Sequence, residues 1–233
     1  MSDERLIWID GAPGTALPLP DRGLDFGDGL FETLLVRKGV PLWPEYHFQR
    51  LKKGAAVLGL PDCLQRVQAE IGSACEAIAG RGWDWSALRL TLTRGEGPRG
   101  YAPPLQATPR IIITASVVQR DCAQQMPAAR LCLADITVAQ QPALAGIKHL
   151  NRLEQVLASG QASASGFDEA LLRDDRGRVI SVSAGNVFAV FGKELVTPVL
   201  NNCGIAGTRR RLTLERWASD LSERLFEARS APN

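Results

Sequence analysis

The chain has 233 residues, of which 45% are hydrophobic and 22% are charged, and its formal net charge is +2. These values are typical of a soluble globular protein with one large domain or two small ones, and they exclude a chain that is disordered throughout. The 27 basic and 25 acidic residues are spread along the sequence, so no basic face for nucleic acid or for a membrane surface stands out.

The five cysteines lack paired metal-ligand spacing, which argues against a disulfide framework and against a zinc site. The N-terminal residues contain no apolar signal core, and the longest apolar run, over 111–118, is too short to span a bilayer. We therefore expect a cytoplasmic protein without a bound metal.

The first half of the chain has the pattern of an α+β unit. Alternating apolar residues and turn signals predict strands over 6–9, 31–36, 87–93 and 110–118, and helical spacing predicts helices over 45–60 and 64–79. The dipeptides Asp10-Gly11 and Lys38-Gly39 predict tight turns. The Gly/Pro-rich residues 94–104 predict a loop. Residues 119–129 are polar and broken by Pro127, which predicts a linker between domains 1–118 and 130–233.

The second half is also predicted to mix strands with helices. Strands are expected over 130–138, 167–172, 179–182 and 186–191, with a hairpin turn at 174–177 and helices over 151–164 and 208–229. The first of these helices has an apolar stripe: Leu150, Leu153, Val156 and Leu157. Asn151 as N-cap with Glu154 three residues later matches a capping box.

Lys148 lies just before that predicted helix, after the apolar residues 143–147. Close apolar neighbours would desolvate its ammonium group and favour the neutral, nucleophilic amine. The alternative is a solvated surface lysine, which is what most lysines are.

The glycine-bearing turn 204–207 precedes another predicted helix, so its backbone N–H groups and the helix dipole favour an anion there. The alternative is an ordinary glycine cap. In the loop 94–104, Arg99 and Tyr101 are suited to a dicarboxylate ligand, and the alternative is a solvated loop.

Several segments resemble aminodeoxychorismate lyases, which belong to the fold-type IV enzymes that depend on pyridoxal phosphate. The longest is Ala-Gly-Ile-Lys-His-Leu-Asn-Arg-Leu-Glu-Gln-Val-Leu at 145–157, and further matches follow in family order at 21–23, 26–33, 47–51 and 94–101. The resemblance extends from about residue 5 to about residue 216. It implies an α+β fold of the D-amino-acid aminotransferase type, with two α+β domains joined by a short linker.

The resemblance also implies roles for individual residues. Lys148 would link to the cofactor and act as the catalytic base, and Thr33 corresponds to an active-site threonine. Arg99 and Tyr101 would lie on the substrate side. The residues implied to bind pyridoxal 5'-phosphate are Arg50, Lys148, Ser181, Gly207, Thr208 and Arg209.

The implied activity is the conversion of 4-amino-4-deoxychorismate to 4-aminobenzoate and pyruvate, as in folate biosynthesis, by a homodimer that acts on a small molecule. A class IV aminotransferase is the first alternative. Ser181 disfavours it, since the family has a glutamate there, and a carboxylate stabilises a pyridinium better than a hydroxyl group does. The second alternative is a catalytically impaired pseudoenzyme of the same fold, which Ser181 favours. Residues 224–233 also favour it, because they do not resemble the Thr-Asn-Ser loop that follows in the family, so the C-terminal domain is expected to be shortened.

Overall fold

The computed structural model describes residues 4–216 and 221–223. The chain forms two compact units, one of Met1–Gln125 with Lys148–Leu150 and the other of Met126–Ile147 with Asn151–Asn233. Lys148–Leu150 therefore cluster with the first unit, whereas the residues on either side of them belong to the second. Among the described residues, no helix has both the length and the apolar character needed to cross a membrane.

The first unit contains a six-stranded antiparallel sheet with the strand order β2-β1-β6-β5-β3-β4. Its elements are β1 (Arg5–Ile9), β2 (Ala12–Pro13), α1 (Arg22–Phe26), β3 (Gly29–Arg37), β4 (Val40–Pro41), α2 (Pro44–Leu58), α3 (Leu64–Gly80), β5 (Trp85–Thr93) and β6 (Arg110–Val117). Strands β1, β3, β5 and β6 and both long helices agree with the predicted elements to within a few residues. The short helix α1 and the two-residue strand β2 were missed by the sequence analysis.

The core of the first unit lies on one face of this sheet. Alternate residues of the central strands are fully or almost fully buried, as the period-two pattern of a strand requires: Leu34, Val36, Leu88, Leu90, Leu92, Ile111 and Ile113. Helix α2 contacts β3 and helix α3 contacts β6, and Ile71 and Ile78 of α3 are buried. Because this apolar surface lies between the sheet and the helices, the side chains on the opposite strand face remain available for other contacts.

The second unit contains two three-stranded sheets. Its elements are β7 (Leu131–Val138), a 3-10 turn (Pro142–Leu144), α4 (Leu153–Ala164), β8 (Glu169–Asp174), β9 (Val179–Val182), β10 (Ala189–Phe191), β11 (Glu194–Thr197), α5 (Thr208–Arg216) and β12 (Leu221–Glu223). β7 and β8 are parallel and are connected through α4, while β9 is antiparallel to β8. β11 is antiparallel to β10 and parallel to β12.

The start and the buried face of α4 differ from the prediction. The N-cap is Arg152, whose side chain makes no capping hydrogen bond, and Glu154 accepts a hydrogen bond from the Ala139 backbone N–H instead. The predicted capping box is therefore wrong. The buried residues of α4 are Ala158 and Ala162, whereas Leu153 is 76% exposed. Val156 and Leu157 are exposed too, so the stripe of large apolar residues is not the face that packs on the sheet β7-β8-β9.

The C-terminal prediction was partly wrong as well. A continuous helix was expected over 208–229, but α5 is described only to Arg216 and Leu221–Glu223 form a strand. Strand β11 (Glu194–Thr197), which pairs with that strand, was not predicted. The predicted departure over 224–233 lies outside the described residues.

Candidate active site

Lys148 lies in an extended segment that pairs with the start of β3. The Phe31 N–H donates to the Lys148 carbonyl at 2.9 Å, and the Leu150 N–H donates to the Gly29 carbonyl at 3.0 Å. Helix α4 begins at Leu153, two residues later than the predicted start at 151, so the lysine does not lie directly at the helix end. The lysine is held instead by a strand edge, which β4 leaves open because β4 pairs only with the far end of β3.

The Lys148 side chain lies over an aromatic ring on β3. Its Nζ atom is 4.2 Å from the centroid of Phe31, and the guanidinium carbon of Arg89 is 4.0 Å from the same centroid. Both cations are within the range of cation–π attraction. Thr33 projects from the same strand face as Phe31, since side chains alternate along a strand, and it pairs directly with Arg89 of β5. The structure thus brings Lys148 and Thr33 to one face of the first unit.

Arg50 is bound by a buried carboxylate on the other face of β3. Its Nε donates to Glu32 Oε1 at 2.7 Å and its Nη2 donates to Glu32 Oε2 at 2.5 Å. His47 Nδ1 is 2.7 Å from Glu32 Oε2. The Arg50 side chain is only 11% exposed, so it is not a solvated surface arginine of α2. Burial by itself would raise the pKa of Glu32, but hydrogen bonds from Arg50 and His47 outweigh it and hold that pKa below its ordinary value.

Arg99 and Tyr101 lie on an exposed part of the loop between β5 and β6. Tyr101 is 86% exposed, yet its backbone carbonyl accepts a hydrogen bond from Arg22, a buried residue of α1. The phenol ring of Tyr101 lies 5.4 Å from the ring of Phe26. The two predicted substrate-side residues are therefore carried by a loop whose backbone is held in place.

The glycine-bearing turn 204–207 is held by hydrogen bonds from the backbone and from the Asn186 side chain. The Gly146 N–H donates to Gly204 O at 2.9 Å, and the Ala206 N–H donates to Gly146 O at 3.1 Å. Asn186 Nδ2 donates to Ile205 O at 2.9 Å. A Cβ on Gly207 would lie 1.9 Å from Asn186 Oδ1, so a larger residue there would displace the Asn186 side chain from its present position.

The first turn of α5 carries cations where helices usually carry acids. Thr208 is its first residue, Arg209, Arg210 and Arg211 follow, and no acidic residue occurs in the first turn. Arg210 is buried and donates to Thr197 Oγ1 at 3.2 Å and to Pro198 O at 2.9 Å. Positive charge at a helix N-terminus opposes the helix dipole, and a bound anion would relieve this repulsion.

Ser181 lies in β9 and pairs with Leu172 of β8. Its side chain is partly buried. A hydroxyl group can form hydrogen bonds but carries no charge. Ser181 could therefore contact the pyridine nitrogen of a cofactor but could not neutralise a positive charge on it.

Comparison with known proteins gives the family of this chain. The sequence profile described as Amino-transferase class IV matches residues 29–229. An aminodeoxychorismate lyase of Vibrio harveyi is 32% identical over 217 residues, which are 92% of this chain and 78% of that protein. The chain belongs to the class IV aminotransferase family. The family resemblance predicted from 145–157 and the matching shorter segments is thereby confirmed.

Solved structures of class IV proteins confirm the fold class. The crystal structure of 4-amino-4-deoxychorismate lyase from Pseudomonas aeruginosa has a TM-score of 0.85 and 40% identity, and it covers 95% of this chain and 82% of that one. A hypothetical aminotransferase from Mycobacterium tuberculosis in its PLP-bound form has a TM-score of 0.78 at 21% identity, covering 95% of this chain and 82% of that one. At that identity, the second likeness concerns the fold alone.

Sequence reasoning missed several polar residues of this class IV protein. Glu32 lies within the matching segment 26–33 but was not predicted as a site residue, although an acidic residue among apolar strand residues is itself a signal of a specific partner. Arg89 carried no such signal, because a charged residue in an alternating strand is ordinary. Its position opposite Thr33 follows only from the β3–β5 register.

Proposed function

We propose that this class IV protein is a pyridoxal-phosphate-dependent carbon–oxygen lyase that converts 4-amino-4-deoxychorismate to 4-aminobenzoate and pyruvate. The observation that carries the proposal is the position of Lys148, paired to β3 with its Nζ over Phe31, in a chain 40% identical to a solved 4-amino-4-deoxychorismate lyase. The amine shares one strand face with Thr33 and Arg89. A primary amine among these groups suits a reaction that begins with proton removal from carbon.

Each unit contains residues whose chemistry suits a part of pyridoxal 5'-phosphate. We infer that Lys148 binds its aldehyde carbon, that Arg50 and the α5 start at Gly207, Thr208 and Arg209 hold its phosphate, and that Ser181 contacts its ring nitrogen. Support comes from the cations of the first α5 turn and from the close approach of Asn186 to Gly207, which keeps that turn free of a side chain. The bidentate ion pair with Glu32 fixes the plane of the Arg50 guanidinium group, and guanidinium groups suit phosphate oxygens because their N–H donors are paired.

The reaction requires one proton removal and one bond cleavage. Pyridoxal phosphate, when bound, supplies an electron sink for the pair left on the amine-bearing carbon. The Lys148 amine takes the proton from that carbon, and the ring carbon–oxygen bond to the enolpyruvyl group then breaks as the ring becomes aromatic. The departing enolpyruvate gains a proton at its methylene carbon and becomes pyruvate. A serine at 181 is compatible with this elimination, which depends less on a charged ring nitrogen than transamination does.

The substrate carries two carboxylates, and the first unit offers matching groups. Arg89 is exposed on the strand face of Thr33, and Arg99 and Tyr101 lie on the exposed loop. We propose that Thr33 and Arg89 contact the carboxylate nearer to Lys148 and that Arg99 and Tyr101 bind on the substrate side of the loop. Guanidinium groups suit carboxylates because their paired N–H donors match the two oxygens.

A cofactor titration with a lysine variant tests this function. The purified protein should take up pyridoxal phosphate with a new near-visible absorption band, and borohydride should bleach the band. Lys148→Ala should lose the band, and pyruvate release from aminodeoxychorismate should fall about 10³-fold, because the base is gone. Lys38→Ala is the matched control, since Lys38 lies in an exposed ion pair with Asp84.

The same samples separate the alternative functions. Exchange of amino groups between amino acids and keto acids, without release of pyruvate from aminodeoxychorismate, would replace the lyase with an aminotransferase. A protein that takes up no pyridoxal phosphate would refute both the lyase and the aminotransferase and leave the pseudoenzyme.

We further propose that the protein works as a cytoplasmic homodimer on a small molecule, without a nucleic acid or membrane partner.

A further inference from the structure

We infer that Arg22 is a positioning residue, which fixes the loop carrying Arg99 and Tyr101 and thereby sets the affinity for an anionic substrate. The inference rests on the proposed function for the identity of the substrate, but not for the anchoring of the loop. Arg22 lies in the short helix α1 and is only 4% exposed. Its guanidinium group forms hydrogen bonds between this buried position and the backbone of the loop.

One guanidinium group binds three consecutive carbonyls of the loop. Arg22 Nη1 donates to Gly100 O at 3.0 Å and to Ala102 O at 3.4 Å, and Nη2 donates to Tyr101 O at 2.8 Å. These carbonyls immediately follow Arg99 and include that of Tyr101. The anchored stretch is therefore the one that carries the proposed substrate groups, and their side chains remain exposed while the backbone is fixed.

The Nε donor of Arg22 is used by a carboxylate that also binds a second arginine. Arg22 Nε donates to Asp28 Oδ2 at 3.0 Å, and Arg94 Nε donates to the same oxygen at 2.7 Å. Arg94 in turn donates to the carbonyls of Leu58 and Gly59 at the end of α2. The loop is thus connected through Arg22, Asp28 and Arg94 to one of the long helices of this unit.

Packing around Arg22 leaves little room for a different loop path. Its guanidinium carbon lies 4.8 Å from the ring of Phe26, and its backbone N–H donates to Gly95 O at 2.9 Å. A Cβ on Gly97 would lie 2.5 Å from Arg22 Cδ. Because buried N–H donors without acceptors are costly, the loop cannot leave this position without exposing Arg22 or removing the acceptors of three of its hydrogen bonds. Lysine cannot replace it, since a single ammonium nitrogen cannot reach three carbonyls and a carboxylate in one plane.

The test compares Arg22→Met and Arg22→Lys with the parent in two assays. Arg22→Met leaves Asp28 paired with Arg94, so the fold is expected to persist. The first assay is limited trypsin cleavage of the Arg99–Gly100 bond, with the Arg81–Gly82 bond in the turn after α3 as internal reference. Loop cleavage relative to the reference should rise about tenfold in both variants, because the loop opens when its hydrogen bonds are lost.

The second assay is the kinetics of pyruvate release with saturating pyridoxal phosphate. KM for aminodeoxychorismate should rise about tenfold while kcat and the cofactor absorption band stay within about twofold of the parent, the pattern of a lost binding contact. Lys38→Arg, which keeps the charge of an exposed ion pair with Asp84 and leaves both monitored bonds unaltered, should match the parent in both assays.

Unchanged loop cleavage in Arg22→Met would overturn the inference, and so would faster cleavage with an unchanged KM. A parent protein that releases no pyruvate would refute the proposed function instead. The cleavage assay needs no substrate and would still decide whether Arg22 holds the loop.

Discussion

Glu32 shows how one side chain can organise a site through two others. It is 1% exposed, lies between buried strand residues, and accepts hydrogen bonds from a guanidinium group and an imidazole ring. A buried carboxylate is tolerated only when it is paired and hydrogen-bonded, and a buried arginine has the same requirement. Glu32 therefore fixes the plane of Arg50, the residue proposed to bind the cofactor phosphate.

Glu32→Gln should destabilise the protein by about 3 kcal/mol at pH 7, because Arg50 would keep a buried charge without its carboxylate partner. Urea unfolding monitored by tryptophan fluorescence measures the free energy of unfolding. Glu45→Gln, an exposed change in the first turn of α2, is the matched control. A free energy of unfolding equal to that of the control would show that the pair contributes nothing.

The same variant should reveal a pH dependence with a defined sign. The folded pKa of Glu32 is lowered, so the unfolded chain binds the proton more readily than the folded one. The stabilisation is present above the ordinary glutamate pKa and is lost as the pH falls through the lower folded value. The difference between parent and Glu32→Gln should thus shrink in acid, and a constant difference down to pH 3 would contradict this.

At the scale of the elements, α4 shows that a helix can bury its small residues and expose its large ones. Ala158 and Ala162 pack in a cluster with Ala134, Ala170 and Leu172 of the strands β7 and β8. Alanines allow the helix to approach the sheet closely, and interiors of this kind leave no room for added methylene groups. The fit of α4 therefore depends on small side chains rather than on an apolar stripe.

Ala162→Leu should lower the free energy of unfolding by about 2 kcal/mol, because the added carbons overpack the contact between α4 and its sheet. Ala164→Leu is the matched control, since the same substitution two residues later meets solvent. Thermal and urea unfolding of both variants measure the difference. Equal stabilities would show that the space beside Ala162 tolerates a larger side chain.

At the scale of the whole molecule, the proposed homodimer has a direct test. Several large apolar residues of the second unit are exposed in the single chain, among them Leu153, Val156 and Leu157. Contiguous exposed apolar surface is unusual in a monomer. Light scattering coupled to size exclusion should give twice the mass of one chain at micromolar concentration, and a mass of one chain would refute the dimer.

The sequence was sufficient for the elements whose signals are local. The alternation in β3, β5 and β6, the turns at 10–11 and 38–39, and the helical spacing of α2 and α3 predicted the first unit closely. The family was also predictable, because the run around Lys148 and the glycine-rich segment 26–33 each combine several specific residues. Local periodicity and uncommon residue combinations do not depend on what the rest of the chain does.

Only the tertiary structure decided which partners the residues have. Glu154 matched a capping box, but its carboxylate accepts a hydrogen bond from the Ala139 backbone N–H instead. The expected apolar face of α4 is exposed because the helix packs on its sheet through alanines. The pairing of Arg50 with Glu32, of Thr33 with Arg89 and of Arg22 with the loop carbonyls joins residues that are distant in the chain. Strand register and burial set these contacts, and neither quantity is encoded in any short stretch of sequence.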